Sequence, residues 1–224
     1  MQIEKKTFIH PLTEVKEVYY TNQKLGQEYR EYRRIIGGIA WPYGMKSGFS
    51  LVIGEDRFED KTLKKRHYHL LAEAENIDPI DLLKKSFELQ GQYLVNFWYG
   101  DSKNEPMMEF VFEINKKRDK KIKGFYITDA PYLEDPHALE FYVDVIRQRT
   151  MGNRKTLHFM EESRLPNYLM ELTSEKVPKV KHQTFPAIAA LGYVVSAFNL
   201  YQPISESDKD RLNKYFIQKS VDEI

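Results

Sequence analysis

Apolar residues along this chain gather into short strand-length runs and a few helical stripes. The richest stretch is Ile35–Asp56, IIGGIAWPYGMKSGFSLVIGED. It predicts two adjacent antiparallel strands, about Arg34–Trp41 and Gly48–Gly54, both apolar or small at nearly every position and therefore buried on both faces. Trp41-Pro42-Tyr43-Gly44 reads as the turn between them, because Pro ends a ladder and Gly relieves the backbone. Upstream, Val15–Tyr20 reads as a short strand in an irregular lead-in. Downstream, Glu55–Arg66 is charged and reads as a solvated hairpin tip, followed by a third core strand, about His67–Ala74.

A helix then starts at Asp78-Pro79, an N-cap residue followed by a residue suited to the first turn, with Ile80, Leu83 and Phe87 on one stripe. The run Tyr93–Tyr99, YLVNFWY, predicts a fourth core strand ending in a Gly100-Asp101-Ser102 turn. A helix over about Pro106–Asn115 and a fifth strand over Phe125–Thr128 follow. Helices are predicted over His137–Thr150, Arg164–Thr173 and the apolar Thr184–Tyr201, with a polar tail helix over Ser205–Tyr215 and a short extended piece at Thr156–Phe159. Three sequential strands followed by strand–helix units imply an α/β fold, a ribonuclease H-like mixed five-stranded sheet with helices on both faces. The expected organisation is a lead-in over residues 1–33, the ribonuclease H-like domain over 34–203, and a polar tail over 204–224.

Composition narrows the chemistry. The 224 residues are 42% hydrophobic and 13% aromatic, enough to furnish a core. The net charge of +1 leaves nucleic-acid binding to local basic patches. No cysteine is present, which removes disulfides, thiol catalysis and Cys-type zinc sites. The first residues, MQIEKKTFIHPL, hold no apolar core of signal-peptide length, and no run approaches the roughly 20 apolar residues of a membrane span. No membrane association and a cytoplasmic location are the expectations.

Four local patterns bear on family. They are His10-Pro11-Leu12-Thr13-Glu14, Gly37-Gly38-Ile39-Ala40-Trp41-Pro42-Tyr43-Gly44, Tyr99-Gly100-Asp101-Ser102, and Ala187-Ile188-Ala189-Ala190-Leu191-Gly192-Tyr193. In order, they are similar to an "NP-x-x-E" lead-in, a "GGIDPxYG" first strand, an acid at the end of a fourth strand, and an "AxDALRYA" last helix. Over about residues 10–200 the chain resembles the C-terminal nuclease domain of bacteriophage large terminases, the DNA-packaging motors. The resemblance implies a phosphodiester hydrolase dependent on Mg or Mn, with double-stranded DNA and phage packaging components as partners in the host cell. It also marks departures. The first-strand acid is replaced by Ala40, and Phe185, Pro186 and Ala189 stand where the last-helix pattern carries acids. No GxxxxGK[ST] phosphate loop occurs.

Cleavage with two metal ions needs several carboxylates around one point, one of them bridging the ions. Ala40 has no ligand atom, and no acid lies within three residues of it on either side. Asp101, at the carboxyl end of a strand, is the remaining candidate catalytic and metal-ligating acid; a turn aspartate is the plainer alternative. Glu73 and Glu75 share a strand face and are candidates for the same rim, against the plainer reading of solvated strand-end charges. The run Lys116, Lys117, Arg118, Lys120, Lys121 is the candidate DNA-binding patch, together with Lys61, Lys64, Lys65 and Arg66; solvated surface is the alternative for each. His67 and His69 share a face but have no clear third ligand, so an exposed strand face is preferred to a metal site. Three functions are in play: a degenerate terminase-like nuclease domain, a pseudoenzyme keeping a DNA-binding or assembly role; an active endonuclease with a rearranged carboxylate set; and a non-enzymatic interaction protein. An engineered Asp→Ala change at Ala40 would not explain the missing last-helix acids.

Overall fold

The computed structural model describes residues 2–9, 14–23, 29–119, 123–130, 138–150, 155–171 and 185–198. The elements run β1 (Gln2–Ile9), β2 (Lys16–Gln23), β3 (Glu31–Ala40), β4 (Gly48–Asp60), β5 (Lys65–Asn76), α1 (Pro79–Tyr93), β6 (Phe97–Gly100), α2 (Glu105–Lys117), β7 (Ile127–Asp129), α3 (Ala138–Thr150), β8 (Leu157–His158), α4 (Leu165–Glu171) and α5 (Pro186–Ala197). All eight strands belong to one mixed sheet. β3, β4 and β5 are antiparallel neighbours. β6 lies parallel to β3 on its other side, and β7 parallel to β6. The central order β5-β4-β3-β6-β7, with three antiparallel strands followed by two parallel ones, is the ribonuclease H-like arrangement.

β3 sits in the middle because its sequence allows nothing else. Ile35 through Ala40 are all buried, as a strand covered on both faces must be. Ile35 and Ile39 point into one layer with Val52, Trp98, Leu82 and Leu83 of α1 and Val111 of α2. Ile36 and Ala40 point into the other, with Leu51, Ile53, Ile188 and Leu191 of α5 and Val143 and Ile146 of α3. The paired glycines let both layers close. A Cβ at Gly38 would overlap the Ala190 carbonyl oxygen of α5, and one at Gly37 would overlap the Trp98 ring.

Several boundaries differ from the sequence expectation, each for a physical reason. The irregular lead-in contains a full antiparallel hairpin, β1–β2, which joins the sheet where Tyr20 and Thr21 pair with Tyr32 and Glu31. The charged stretch after Gly54 continues the ladder to Glu59↔Arg66 and Asp60↔Lys65. Its tip is confined to the turn residues 61–64, where the Asp60 carboxylate accepts from the Thr62 and Leu63 amides at 2.7 Å each. The apolar run at Tyr93 does not start a strand. Asp78 caps α1 through the Ile80 and Asp81 amides, and the helix runs on to Tyr93. It stops because Leu94 takes a left-handed conformation (φ 52°) with its N–H on Gln90 O, so β6 begins only at Phe97. The predicted tail helix and residues 10–13 lie outside the described residues. Among the described residues no helix is long and apolar enough to cross a membrane.

Candidate functional site at the carboxyl ends of the central strands

β3, β6 and β7 run parallel, so their carboxyl ends open on one edge, the usual place for a site in an open α/β sheet. Gly38 pairs with Tyr99; continuing that register by two residues brings Ala40 level with Asp101. Gly100 pairs with Asp129 of β7. The exits are tied together: Trp41 Nε1 donates to the Asp101 carbonyl at 3.0 Å, and the Ala130 amide donates to Gly100 O at 3.2 Å.

Among the described residues the chemistry at this edge is sparse. Ala40 is 3% exposed and belongs to the core layer under α5. Asp101 is half-buried and turns back on its own loop, where its Oδ1 accepts from the Lys103 amide at 3.0 Å. The Tyr193 hydroxyl of α5 is held protonated well above its usual range, first by burial and then by the negative charge of Asp101. Asp129, which the sequence did not single out, is an exposed acid beside Asp101; its Oδ1 accepts from the Ser102 amide and hydroxyl at 3.0 and 2.7 Å. The signal for it was available: the rule that singled out Asp101, an acid at a strand's carboxyl end, applies equally at Asp129.

The other candidates fall elsewhere. Glu73 and Glu75 lie on β5 opposite Leu51 and Phe49 of β4. They are separated from Asp101 by three strand spacings, about 14 Å at ~4.8 Å per strand. Both are engaged with the α4 region. Glu73 accepts from the Ser163 hydroxyl and the Arg164 amide at 2.8 Å each. Glu75 accepts from the Arg164 guanidinium and the Tyr168 hydroxyl at 3.0 Å each. These carboxylates fasten α4 to the sheet and are not brought together with Asp101. At the start of α5, Ala189 is fully buried, Pro186 is buried at the first turn, and Phe185 lies under the Lys46 ammonium; none carries a ligand atom.

The basic candidates sit at the far end of the sheet. α2 leaves the carboxyl end of β6 and returns to the start of β7, so Lys116 and Lys117 lie away from Asp101; each is within 3.8 Å of Glu113. Arg118 caps that helix. Lys120 and Lys121 lie outside the described residues. The turn bearing Lys61 and Lys64 is likewise at the amino end of β5. Against expectation, His67 and His69 do not form an exposed face: their side chains are 21% and 12% exposed and pack against His158.

Among the described residues no two-metal carboxylate set is assembled at this edge: Ala40 supplies no bridging oxygen, Asp101 and Asp129 are engaged by loop amides, and no group of three His, Cys, Asp or Glu side chains is arranged to hold a metal ion.

No family model matches the chain, and none of the curated proteins matches it. Among solved structures it is similar to the g2p large-terminase nuclease domain of bacteriophage SPP1, a structure with bound Mn. That similarity has a TM-score of 0.44 and 14% identity, over 72% of this chain and 85% of that one. The strand order, not this overlap, carries the fold assignment.

Proposed function

We propose that this chain is a terminase-like ribonuclease H-fold domain whose cleavage centre is degenerate and whose role in a phage DNA-packaging context is assembly or duplex binding rather than hydrolysis. The observation that carries the proposal is Ala40. It occupies the end of the central strand, level with Asp101, where two-metal hydrolysis requires a bridging carboxylate. The packing supports this reading independently, because Ala40 is buried beneath α5 in apolar surroundings. Any duplex contact through Lys116, Lys117 or the Lys61–Lys64 turn would lie at the opposite end of the sheet, where a bound phosphodiester does not reach Asp101.

The test is incubation of the chain with supercoiled plasmid and millimolar Mg²⁺ or Mn²⁺. We expect no nicking above a buffer control. Cutting that is lost in Asp101→Asn would overturn the proposal in favour of an active endonuclease with a rearranged acid set.

A further inference from the structure

The histidines at the outer edge of the sheet form a unit of their own. His67 and His69 come from β5, and His158 from β8, which pairs parallel with β5 through Tyr68↔Leu157 and His69↔His158. The three rings stack. The His69–His158 centroids are 4.7 Å apart with planes 9° from parallel, and those of His67–His158 are 5.0 Å apart at 25°. His67 Nδ1 and His158 Nε2 are 2.7 Å apart. That is hydrogen-bond distance, so one nitrogen must donate and the other accept; the acceptor ring is therefore neutral. Near-parallel rings do not aim their lone pairs at one point, which disfavours a shared metal ion.

We propose that this stack is a proton-sensitive clasp: while His158 stays neutral it holds β8 against β5, and its protonation on acidification releases β8 and leaves the outer edge of β5 unpaired. β8 is only two residues long, so few backbone bonds retain it and the side chains decide. The charged surroundings of the three rings differ. His67 Nε2 faces Asp60 of β4 at 3.6 Å, and His69 Nε2 faces Asp56 of β4 at 3.3 Å. Each of these two rings thus has a carboxylate nearby, and the His69 nitrogen also lies against the Arg30 guanidinium. Among the described residues His158 has no carboxylate in its close contacts. Arg30, ahead of β3, lies 3.2 Å from His69 Nε2, Lys155 precedes β8, and the Tyr32 ring of β3 lies 6.3 Å from His69. Arg66 of β5 reaches toward Glu59 of β4 at 3.7 Å. On the opposite face, Arg149 of α3 donates to the Thr156 hydroxyl at 3.2 Å, beside buried Tyr68.

Consistently, His158 is pushed down from 6.5 to about 4, chiefly by burial and then by the positive charge that His69, His67, Lys155 and Arg30 contribute. A histidine whose folded value lies below its unfolded value is a stabilising feature at neutral pH. That contribution is lost progressively as pH falls below about 6.5 toward 4, because the open state binds the proton more tightly. The unscreened shift would raise the opening equilibrium roughly 20-fold between pH 7 and pH 5; the half-exposed ring reduces this to about tenfold.

The reporter is the Tyr68 amide, which donates to Thr156 O at 2.7 Å across the β5–β8 pairing. Hydrogen exchange of the full chain at pH 7 and pH 5, corrected for the intrinsic rate, is expected to show about a tenfold rise in Tyr68 opening. His158→Leu is expected to abolish that rise. Should the variant not fold, NMR titration of the wild-type imidazoles still decides: one ring must titrate well below 6.5. Three rings titrating at or above their ordinary value, or unchanged Tyr68 protection at pH 5, would overturn the clasp. So would protection at pH 7 that collapses on adding EDTA, which would make the stack a metal site.

Discussion

Replacing Ala40 by Asp tests the degenerate-centre proposal most directly. Ala40 is 3% exposed in the layer between β3 and α5. A carboxylate there loses most of its hydration, and such burial shifts a pKa by up to 3–5 units. At 1.36 kcal/mol per unit, a shift of about three units costs roughly 4 kcal/mol. The position borders the open end of the sheet, and partial solvent access reduces this to about 3 kcal/mol. For a chain of this size that is a fall of about 6–12 °C in Tm, measured in EDTA. The same change would set a third carboxylate beside Asp101 and Asp129. A divalent cation at tenfold its Kd would then return about 1.4 kcal/mol, or roughly 3–6 °C. We therefore expect Mn²⁺ to raise the Tm of Ala40→Asp by several degrees and to leave wild type and Ala40→Asn unmoved, by differential scanning fluorimetry. Comparable Mn²⁺ stabilisation of wild type would show that another acid already serves the centre. An Ala40→Asp variant as stable as wild type would show that Ala40 is not packed where the reasoning needs it.

Two further predictions concern ion pairs that hold the fold. Glu55 is buried, bonded at 2.6 Å to Arg34, whose guanidinium also donates to Phe198 O at the end of α5 and lies over the Phe198 ring. Arg34→Met leaves that carboxylate with Tyr68 OH at 3.4 Å and should cost about 2–3 kcal/mol in urea unfolding, the usual penalty reduced for Arg34's partial exposure; a coupling near zero in the cycle with Glu55→Gln would refute the network. Arg57 pairs with Glu17 through both carboxylate oxygens and with Glu31, while stacked on Tyr19 at 3.9 Å. Arg57→Lys loses the fork and the stacking and should cost about 1–2 kcal/mol, an expectation that equal urea midpoints would end. Arg57 lowers the Glu17 pKa, so the pair's contribution is intact above Glu17's ordinary 4.5 and fades as pH falls through the lowered folded value; the gap between wild type and Arg57→Lys should narrow in acid.

What the sequence made legible, and what it hid, divides by the range of the interaction that settles each feature. The core strands and Asp78 cap were readable because apolar runs and an Asp-Pro start are local signals. β1, QIEKKTFI, has no clean alternation; it is a strand because β2 pairs with it residue by residue and because Arg57, far downstream, lies over the Phe8 ring. The Tyr93–Tyr99 run misled because one left-handed residue, Leu94, overrides an apolar pattern that fits a strand. The i, i+2 spacing of Glu73 and Glu75 on β5 sets them on one strand face, but their partners Ser163, Arg164 and Tyr168 lie 89–93 residues away. His158 is 91 residues from His67, brought beside it by a parallel crossover that no spacing rule encodes. Ala40 is the instructive reverse. Its burial was legible from the run around it, yet its meaning depends on β6 lying alongside, since only that pairing sets an alanine level with Asp101. Period and capping thus locate elements, whereas the chemical character of an edge is decided by which crossovers meet there. On the proposed reading, a carboxylate set assembled from β3, β6 and β7 is for that reason vulnerable to a single change on β3: the sheet keeps its packing with a methyl group at Ala40, while among the described residues Asp101 and Asp129 are held by the amides of Lys103 and Ser102.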